Sequence, residues 1–115
     1  MRIIFRDKKL KKLCNDSKTA VRQLGPQCAE VLRRRLDDLD AADTLNEFRC
    51  LPGDCHEYKH GSSLLTLDLH GGKRIIFRPD YEPIPTLADG ISLDWCKVTA
   101  VEIIAIEDPH GKRRK

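Results

Sequence analysis

The chain has 115 residues, of which 40% are hydrophobic and 34% are charged, and its formal net charge is +3. This length and composition predict one domain with a modest apolar core over residues 1–115, ending in a basic tail at residues 111–115. Because no segment is long or apolar enough to cross a membrane and no signal peptide is evident, we expect a soluble, cytoplasmic protein.

Charge is distributed unevenly along the chain. Lysines crowd residues 8–12, arginines occupy residues 33–35, and residues 112–115 are all basic, whereas acids cluster within residues 37–43. Local basic runs of this kind favour a polyanionic partner, and solvated helix faces are the alternative interpretation.

The five cysteines are odd in number and irregular in spacing. Cys14 and Cys28 are typical of small buried residues on helices. Cys50, Cys55 and His56 loosely match the spacing of zinc ligands, but no second pair of ligands follows. We therefore expect reduced thiols, no metal site and no cofactor.

A short apolar strand is predicted over residues 2–6, followed by the first of two amphipathic helical regions. Asp7 is a suitable N-cap, and residues 8–14 place apolar side chains on one face and lysines on the other. The helix is expected to restart near Asp16 and to end at Gly25.

The second predicted helix begins at Pro26, because proline suits the first position of a helix. Residues 33–35 are expected to face solvent, and the helix ends near Asp40. Asp43 then caps one short turn through Phe48. The apolar positions of the second helix recur at helical spacing: Cys28, Leu32, Leu36 and Leu39.

Residues 55–79 predict three short antiparallel strands, with turns at Gly61-Ser62 and at residues 70–72. If the second turn is a three-residue loop with a left-handed glycine, Asp68 lies opposite Arg74. Strand alternation then places one apolar set on a covered face: Leu65, Leu67, Ile75 and Phe77. The other face carries Thr66, Asp68, Arg74 and Arg78. A sheet face that is polar and basic indicates a binding surface.

Residues 79–96 are rich in proline and predict a loop, and residues 98–107 predict a final strand at a central position in the sheet. The complete prediction is an α+β fold in the order β-α-α-β-β-β-β. It has a twisted antiparallel sheet with two N-terminal helices packed on one face, which leaves the other face open.

These segments together resemble the RelE/ParE superfamily of toxins from bacterial toxin–antitoxin pairs, and most closely its HigB-like, plasmid-maintenance branch. That branch carries a Pro-Gly-x-x-His-x-Leu-Lys-Gly motif, to which residues 52–61 correspond with Tyr58 in place of leucine and one extra residue before the glycine. Residues 65–69 and 73–77 correspond to its two central strands, and residues 106–110 to its Ile-x-Asp-Tyr-His ending.

The resemblance implies a RelE-like fold and a metal-independent endoribonuclease, an mRNA interferase that cleaves mRNA on the ribosome and inhibits translation. It also implies a cognate HigA-like antitoxin with a helix-turn-helix domain, through which the pair contacts operator DNA. A ParE-like poison of DNA gyrase is one alternative. Because Pro109 replaces the tyrosine that usually precedes the last histidine, a degenerate toxin acting as a binding and co-repressor partner is another.

RNA cleavage by attack of the 2′-hydroxyl needs a base, an acid and cations near the phosphate. Histidine titrates near neutral pH, and arginine grips phosphate in a bidentate manner. We assign the catalytic roles to His56, Lys59, Arg74 and His110. Contacts to the RNA backbone are assigned to Arg78, Lys112 and Arg113. The alternative role for Arg74 is an ion pair with Asp68 across the two strands.

Overall fold

A computed structural model describes residues 1–58 and 63–108. The strands in these ranges are β1 (Arg2–Phe5), β2 (His56–Glu57), β3 (Leu65–Asp68), β4 (Arg74–Pro79) and β5 (Ala100–Glu107). The α-helices are α1 (Lys8–Asn15), α2 (Ser17–Leu24), α3 (Pro26–Ala41) and α4 (Leu45–Phe48). No helix in the described part of the chain combines the length and the apolar character needed to span a bilayer.

The strands form one sheet in the order β1-β5-β4-β3-β2. The predicted α+β class is confirmed, as is the predicted central position of β5. The sheet is mixed, however, because β1 pairs parallel to β5 while every other pairing is antiparallel. The prediction of a wholly antiparallel sheet was wrong at this one edge, where the first and last strands run in the same direction.

The helical region follows the predicted boundaries, including the break near Asp16 and the short turn through Phe48. Asp7 caps α1 by accepting a bond from the Leu10 amide at 2.8 Å. The extended backbone of Asp16 separates α1 from α2, and Gly25 separates α2 from α3 with a φ of 88°. Thr44, rather than the predicted Asp43, accepts the capping bond of α4.

The hairpin of β3 and β4 has the predicted register. Asp68 pairs with Arg74, and Leu65 pairs with Phe77. The connecting turn contains two glycines in the left-handed region, Gly71 at φ 74° and Gly72 at φ 82°, a conformation that glycine adopts without steric cost.

The core lies between this sheet and the helices. The four residues predicted for the covered face, Leu65, Leu67, Ile75 and Phe77, are all buried. Helix α3 covers them with Cys28, Leu32 and Leu39, and Leu36 packs at the edge of the same cluster. Removal of this apolar area from water is the main force that holds the helices on one side of the sheet.

Two of the arginines predicted to face solvent do so, and the third does not. Arg33 and Arg34 are exposed and pair with Glu30 on the same helix. Arg35 is half-buried, and its Nε would lie 3.1 Å from a Cβ placed on Gly53. Arg35 therefore packs against the segment that leads into β2.

Residues 80–97 form the predicted irregular segment, with one isolated bridge between Thr86 and Leu93. Trp95 packs against the core, as expected for an anchor, and its ring also lies 4.5 Å from the Arg49 guanidinium carbon. The segment thereby ties the end of α4 to the start of β5.

Candidate functional site

The sheet face opposite the helices carries the candidate site. The pairing register places one set of side chains on this face: His56, Thr66, Asp68, Arg74, Ile76, Arg78, Glu102 and Glu107. This face is not fully open, because Thr66 and Ile76 at its centre are buried. Polar side chains surround this buried centre.

Arg74 is held tightly on this face by one carboxylate. Its Nε donates to Glu107 Oε1 at 2.6 Å, and its guanidinium carbon lies 5.1 Å from the centre of the Tyr58 ring. The bond to Glu107 raises the pKa of Arg74 further above its ordinary value. Within residues 1–58 and 63–108, Arg74 donates only through Nε, so both terminal nitrogens are available to bind an anion in a fork.

Arg74 therefore makes its ion pair with Glu107 and not with Asp68, the partner named in the alternative interpretation. The cause is a bulge in β5, where the register against β4 shifts between Ile76 and Phe77. Glu102 and Glu107 are an odd number of residues apart, so a regular strand would send them to opposite faces. The extra residue of the bulge brings both onto the face of the arginines.

Arg78 has a similar carboxylate partner. Its Nη1 donates to Glu102 Oε1 at 3.2 Å, and its Nη2 reaches the Tyr81 carbonyl at 3.5 Å. Arg2 on the edge strand lies 3.8 Å from Asp80. The prediction of a basic sheet face was therefore wrong for the described residues, where each of these arginines lies beside an acid.

His56 stands at the other side of the face and is about half exposed. Its Nδ1 lies 2.6 Å from the Asp54 carbonyl oxygen, and its Nε2 lies 3.4 Å from Thr66 Oγ1. Because a carbonyl oxygen only accepts, Nδ1 carries a proton, and Nε2 lies toward the Thr66 hydroxyl on the sheet face. His56 and Arg74 are two strands and two residues apart, roughly 12 Å between Cα atoms by standard sheet spacings.

Tyr58 connects the two sides of the face. Its hydroxyl donates to Glu107 Oε2 at 3.2 Å. Tyr58 directly follows β2 in the chain, whereas Glu107 is the last residue of β5. The tyrosine therefore extends across β3 and β4, the strands that carry the buried Thr66 and Ile76. Glu107 accepts from Tyr58 with one oxygen and from Arg74 with the other.

Sequence reasoning missed Tyr58, Glu102 and Glu107 as members of this surface. A signal for Tyr58 was present, since it takes the place of leucine in the family motif. For the glutamates no local signal exists, because their face depends on the bulge. Of the predicted site residues, His56, Arg74 and Arg78 share the face, whereas Lys59, His110, Lys112 and Arg113 lie outside the described residues.

The cysteines of the same region do not assemble a metal centre in the described ranges, where no group of three or more potential ligand side chains is found. Cys50 is exposed, and Cys55 is buried. Burial raises the pKa of the Cys55 thiol to about 12, which keeps it protonated at neutral pH.

One family model matches the sequence, over residues 3–82, and it is described as the RelE-like toxin of the type II toxin–antitoxin system HigB. The match includes most of β1 and all of β2 to β4, and therefore His56, Arg74 and Arg78, while β5 lies beyond it. No curated protein and no solved structure matches the chain significantly. The match covers well over half of the sequence, and the fold is the α+β arrangement that the resemblance implied. The chain belongs to the HigB-like family of RelE-like toxins of type II toxin–antitoxin systems.

Proposed function

We propose that this toxin is a ribosome-dependent mRNA endonuclease that inhibits translation and is neutralised by a cognate antitoxin. Membership of the family supports the parts of this proposal that concern a toxin and a protein antitoxin as its partner. The observation that supports nuclease activity is the way Arg74 is held. Glu107 fixes its Nε, and within the described residues its two terminal nitrogens remain for an anion. A positioned arginine of this kind suits a phosphate on which charge develops.

The chemistry assigned to the face needs no metal. His56 takes the proton of the attacking 2′-hydroxyl at Nε2, since its Nδ1 proton is engaged by the Asp54 carbonyl. Arg74 binds the non-bridging phosphate oxygens and stabilises their charge in the transition state. Lys59 and His110 are proposed for the remaining acid and phosphate contacts.

The wider contacts follow from the same proposal. Arg78, Lys112 and Arg113 contact the RNA backbone beside the cleaved bond. The antitoxin is proposed to be HigA-like, with a helix-turn-helix domain, so that operator DNA is reached through the antitoxin alone. The site of action is then the cytoplasm, where ribosomes and mRNA are found.

The test is a matched set of arginine variants expressed at equal protein level. Arg74→Ala removes the fork and should reduce mRNA cleavage on the order of 100- to 1,000-fold, with loss of growth inhibition. Arg74→Lys should recover only part of the activity, because lysine keeps the charge but not the bidentate geometry. Arg33→Ala is the control, since Arg33 is exposed on α3 and its ion pairs within the described residues are with Glu30 and Asp37 of the same helix.

Cleavage is measured by mapping mRNA 5′ ends after brief induction. An Arg74→Ala variant that remains as toxic as the parent would refute the proposed nuclease mechanism, in which Arg74 is the central residue. Trapped DNA breaks without new mRNA ends would identify a gyrase poison instead. Binding of the antitoxin without toxicity in the parent would identify a degenerate partner.

A further inference from the structure

The irregular segment between β4 and β5 contains a short two-stranded ribbon at residues 84–94. Thr86 bridges Leu93 in antiparallel fashion. The Asp94 amide donates to the Pro85 carbonyl at 3.0 Å and extends the ladder by one step. The family match ends at residue 82, so this ribbon lies beyond the part of the chain that the family model covers.

The turn of the ribbon is closed by one carboxylate. Asp89 Oδ1 accepts from the amides of Ile91 and Ser92, each at 2.9 Å, and Asp89 Oδ2 accepts from the Ser92 hydroxyl at 2.6 Å. These bonds fix the backbone on which Ile91 stands. The Ile91 side chain is nevertheless 74% exposed, so the turn holds an apolar side chain out in water.

One face of the ribbon encloses a pocket against the edge of the sheet. Alternation along the two strands of the ribbon places four side chains on that face: Ile84, Thr86, Ile91 and Leu93. The pocket has a volume of about 160 Å³, and its other lining residues are Glu57, Ser63 and Leu65. Its walls are therefore largely apolar, and Glu57 contributes a carboxylate.

The backbone of Glu57 adds a second feature to this pocket. Glu57 lies in β2, the terminal strand of the sheet. The Tyr58 amide donates to the Leu64 carbonyl at 2.9 Å, and by antiparallel alternation the amide and carbonyl of Glu57 point away from β3. An outward donor and acceptor on a terminal strand can pair with another extended chain. The side chain opposite Glu57 in that chain would lie on the pocket side of the sheet.

The charge of this region selects a cation. Residues 79–96 contain four acids and no lysine or arginine, and within the described residues Glu57 makes no ion pair. Such a surface repels phosphate, so it does not suit a nucleic acid. Lysine and arginine combine an apolar stem with a charged head, which matches apolar walls and a carboxylate.

We propose that β2 and the ribbon form a docking site for an extended, basic segment of a partner protein. The segment pairs with the outer edge of β2 and places a lysine or arginine in the pocket, with its stem against Ile91 and its charge at Glu57. Because His56 and Glu57 are adjacent in β2, their side chains point to opposite faces of the sheet. A partner held at this site therefore leaves the face that carries His56 and Arg74 uncovered.

The probe for the test is a hexapeptide of alternating valine and lysine with blocked ends, because valine favours extended backbone and alternation puts the lysines on one face. Binding is followed by NMR through isoleucine and leucine methyl resonances. Ile91→Ser removes the exposed apolar contact, and Glu57→Lys reverses the charge at the pocket. Their matched controls are Val21→Ser, on the exposed side of α2, and Asp43→Lys, an exposed acid outside the pocket lining.

The peptide should shift the methyl resonances of Ile84, Ile91 and Leu93 in the parent. Ile91→Ser should weaken binding roughly two- to fivefold, as expected for loss of a partly buried apolar contact. Glu57→Lys should lose the lysine peptide and gain a matched valine–glutamate peptide that the parent does not bind, because the swap restores opposite charges. Both control variants should keep the affinity of the parent.

Three outcomes would overturn the proposal. The first is absence of these methyl shifts in the parent, and the second is equal affinity of the parent for the glutamate peptide. The third is a dimeric mass in sedimentation with methyl shifts that change with protein concentration alone, which would make a second copy of this chain the occupant. If Glu57→Lys disturbs the amide spectrum of β2, Ile91→Ser still decides, since its side chain is exposed.

This test is independent of the proposed nuclease. Arg74→Ala should bind the peptide as tightly as the parent does. A parent that cleaves no mRNA but binds the lysine peptide would refute the proposed function and leave the docking site standing. A parent that cleaves mRNA but binds no peptide would do the reverse.

Discussion

At the scale of single residues, the central feature is that one carboxylate serves two partners. Glu107 accepts from Arg74 Nε at 2.6 Å and from the Tyr58 hydroxyl at 3.2 Å. The side chain of Glu107 is only 18% exposed, compared with 34% for Arg74, so this carboxylate is less screened by water than a surface acid. Glu107 orients the arginine, and Tyr58 in turn orients Glu107.

Two tyrosine variants separate orientation from simple loss of a hydrogen bond. Tyr58→Phe removes the bond to Glu107 and keeps the ring beside Arg74. Tyr81→Phe removes two bonds, to the Thr99 amide and hydroxyl, and leaves the contacts of Glu107 and Arg74 in place. Each variant should lower the free energy of unfolding by about 0.5–1.5 kcal/mol per lost bond, but only Tyr58→Phe should reduce mRNA cleavage.

Denaturant unfolding and 5′-end mapping, applied to both variants, check this expectation. Equal losses of cleavage in the two variants would mean that stability alone accounts for the effect. Full cleavage by Tyr58→Phe would show that Arg74 does not depend on the tyrosine hydroxyl.

At the scale of elements, the path of the segment before β2 depends on one glycine. Gly53 has a φ of 121°, and a Cβ at this position would lie 2.5 Å from Leu67 Cδ1. Its carbonyl oxygen also accepts from the Asp68 amide at 2.7 Å. The backbone of Gly53 thus passes directly against β3, and this close approach positions His56, three residues later, in β2.

Gly53→Ala should therefore be far more damaging than an alanine at another glycine of positive φ. Overpacking against Leu67 costs roughly 1–3 kcal/mol, in addition to roughly 1–2 kcal/mol for the left-handed backbone. Gly90→Ala is the matched control, since its φ is 73° but no atom lies within 4 Å of the added Cβ. Denaturant unfolding of the two variants should show the larger loss at Gly53, and equal losses would mean that the packing against Leu67 relaxes freely.

At the scale of the whole molecule, charge is arranged in two ways. The sheet-face arginines sit beside acids, while in the described residues no cation of α1 or α2 makes an ion pair with an acid. Paired charges contribute little field at a distance, so the unpaired set dominates the attraction of an approaching partner. Encounter with any acidic partner should therefore depend on ionic strength.

The association rate of the antitoxin should fall at least about tenfold when salt is raised from roughly 50 to 500 mM, because screening removes the steering. Stopped-flow mixing of the purified pair measures this rate directly. A rate that does not change with salt would indicate an apolar contact. The groove between α2 and α3, of about 170 Å³ and lined in part by Val21 and Ala29, would then be the first place to examine.

The hairpin of β3 and β4 could be predicted from sequence because its signals are local. The glycines of the turn fix the loop, and alternation fixes the faces, so Leu67 and Phe77 were assigned correctly to the core. The same holds for the helix boundaries at Asp7 and Gly25, where capping and backbone preferences act on the residues themselves.

The carboxylate partner of Arg74 and the parallel pairing of β1 with β5 could not be predicted in this way. The sheet face on which Glu107 lies depends on a bulge in β5, and no residue type in the sequence predicts that bulge. A bulge moves every later side chain of the strand to the opposite face. The strand at residues 2–5 has apolar residues suited to either direction of pairing. Its parallel alignment with β5 is decided by how the helices return the chain, which is a property of the complete fold.

That alignment has a consequence for the order of events during synthesis. Arg2 pairs with Ala100 and Phe5 with Ile103, so the first strand leaves the ribosome long before its partner exists. Contacts this remote in sequence form late, because a long stretch of chain must close first. The glutamate that holds Arg74 also lies in the last strand to emerge. The nascent chain therefore does not present the assembled sheet face to the ribosome that is still making it.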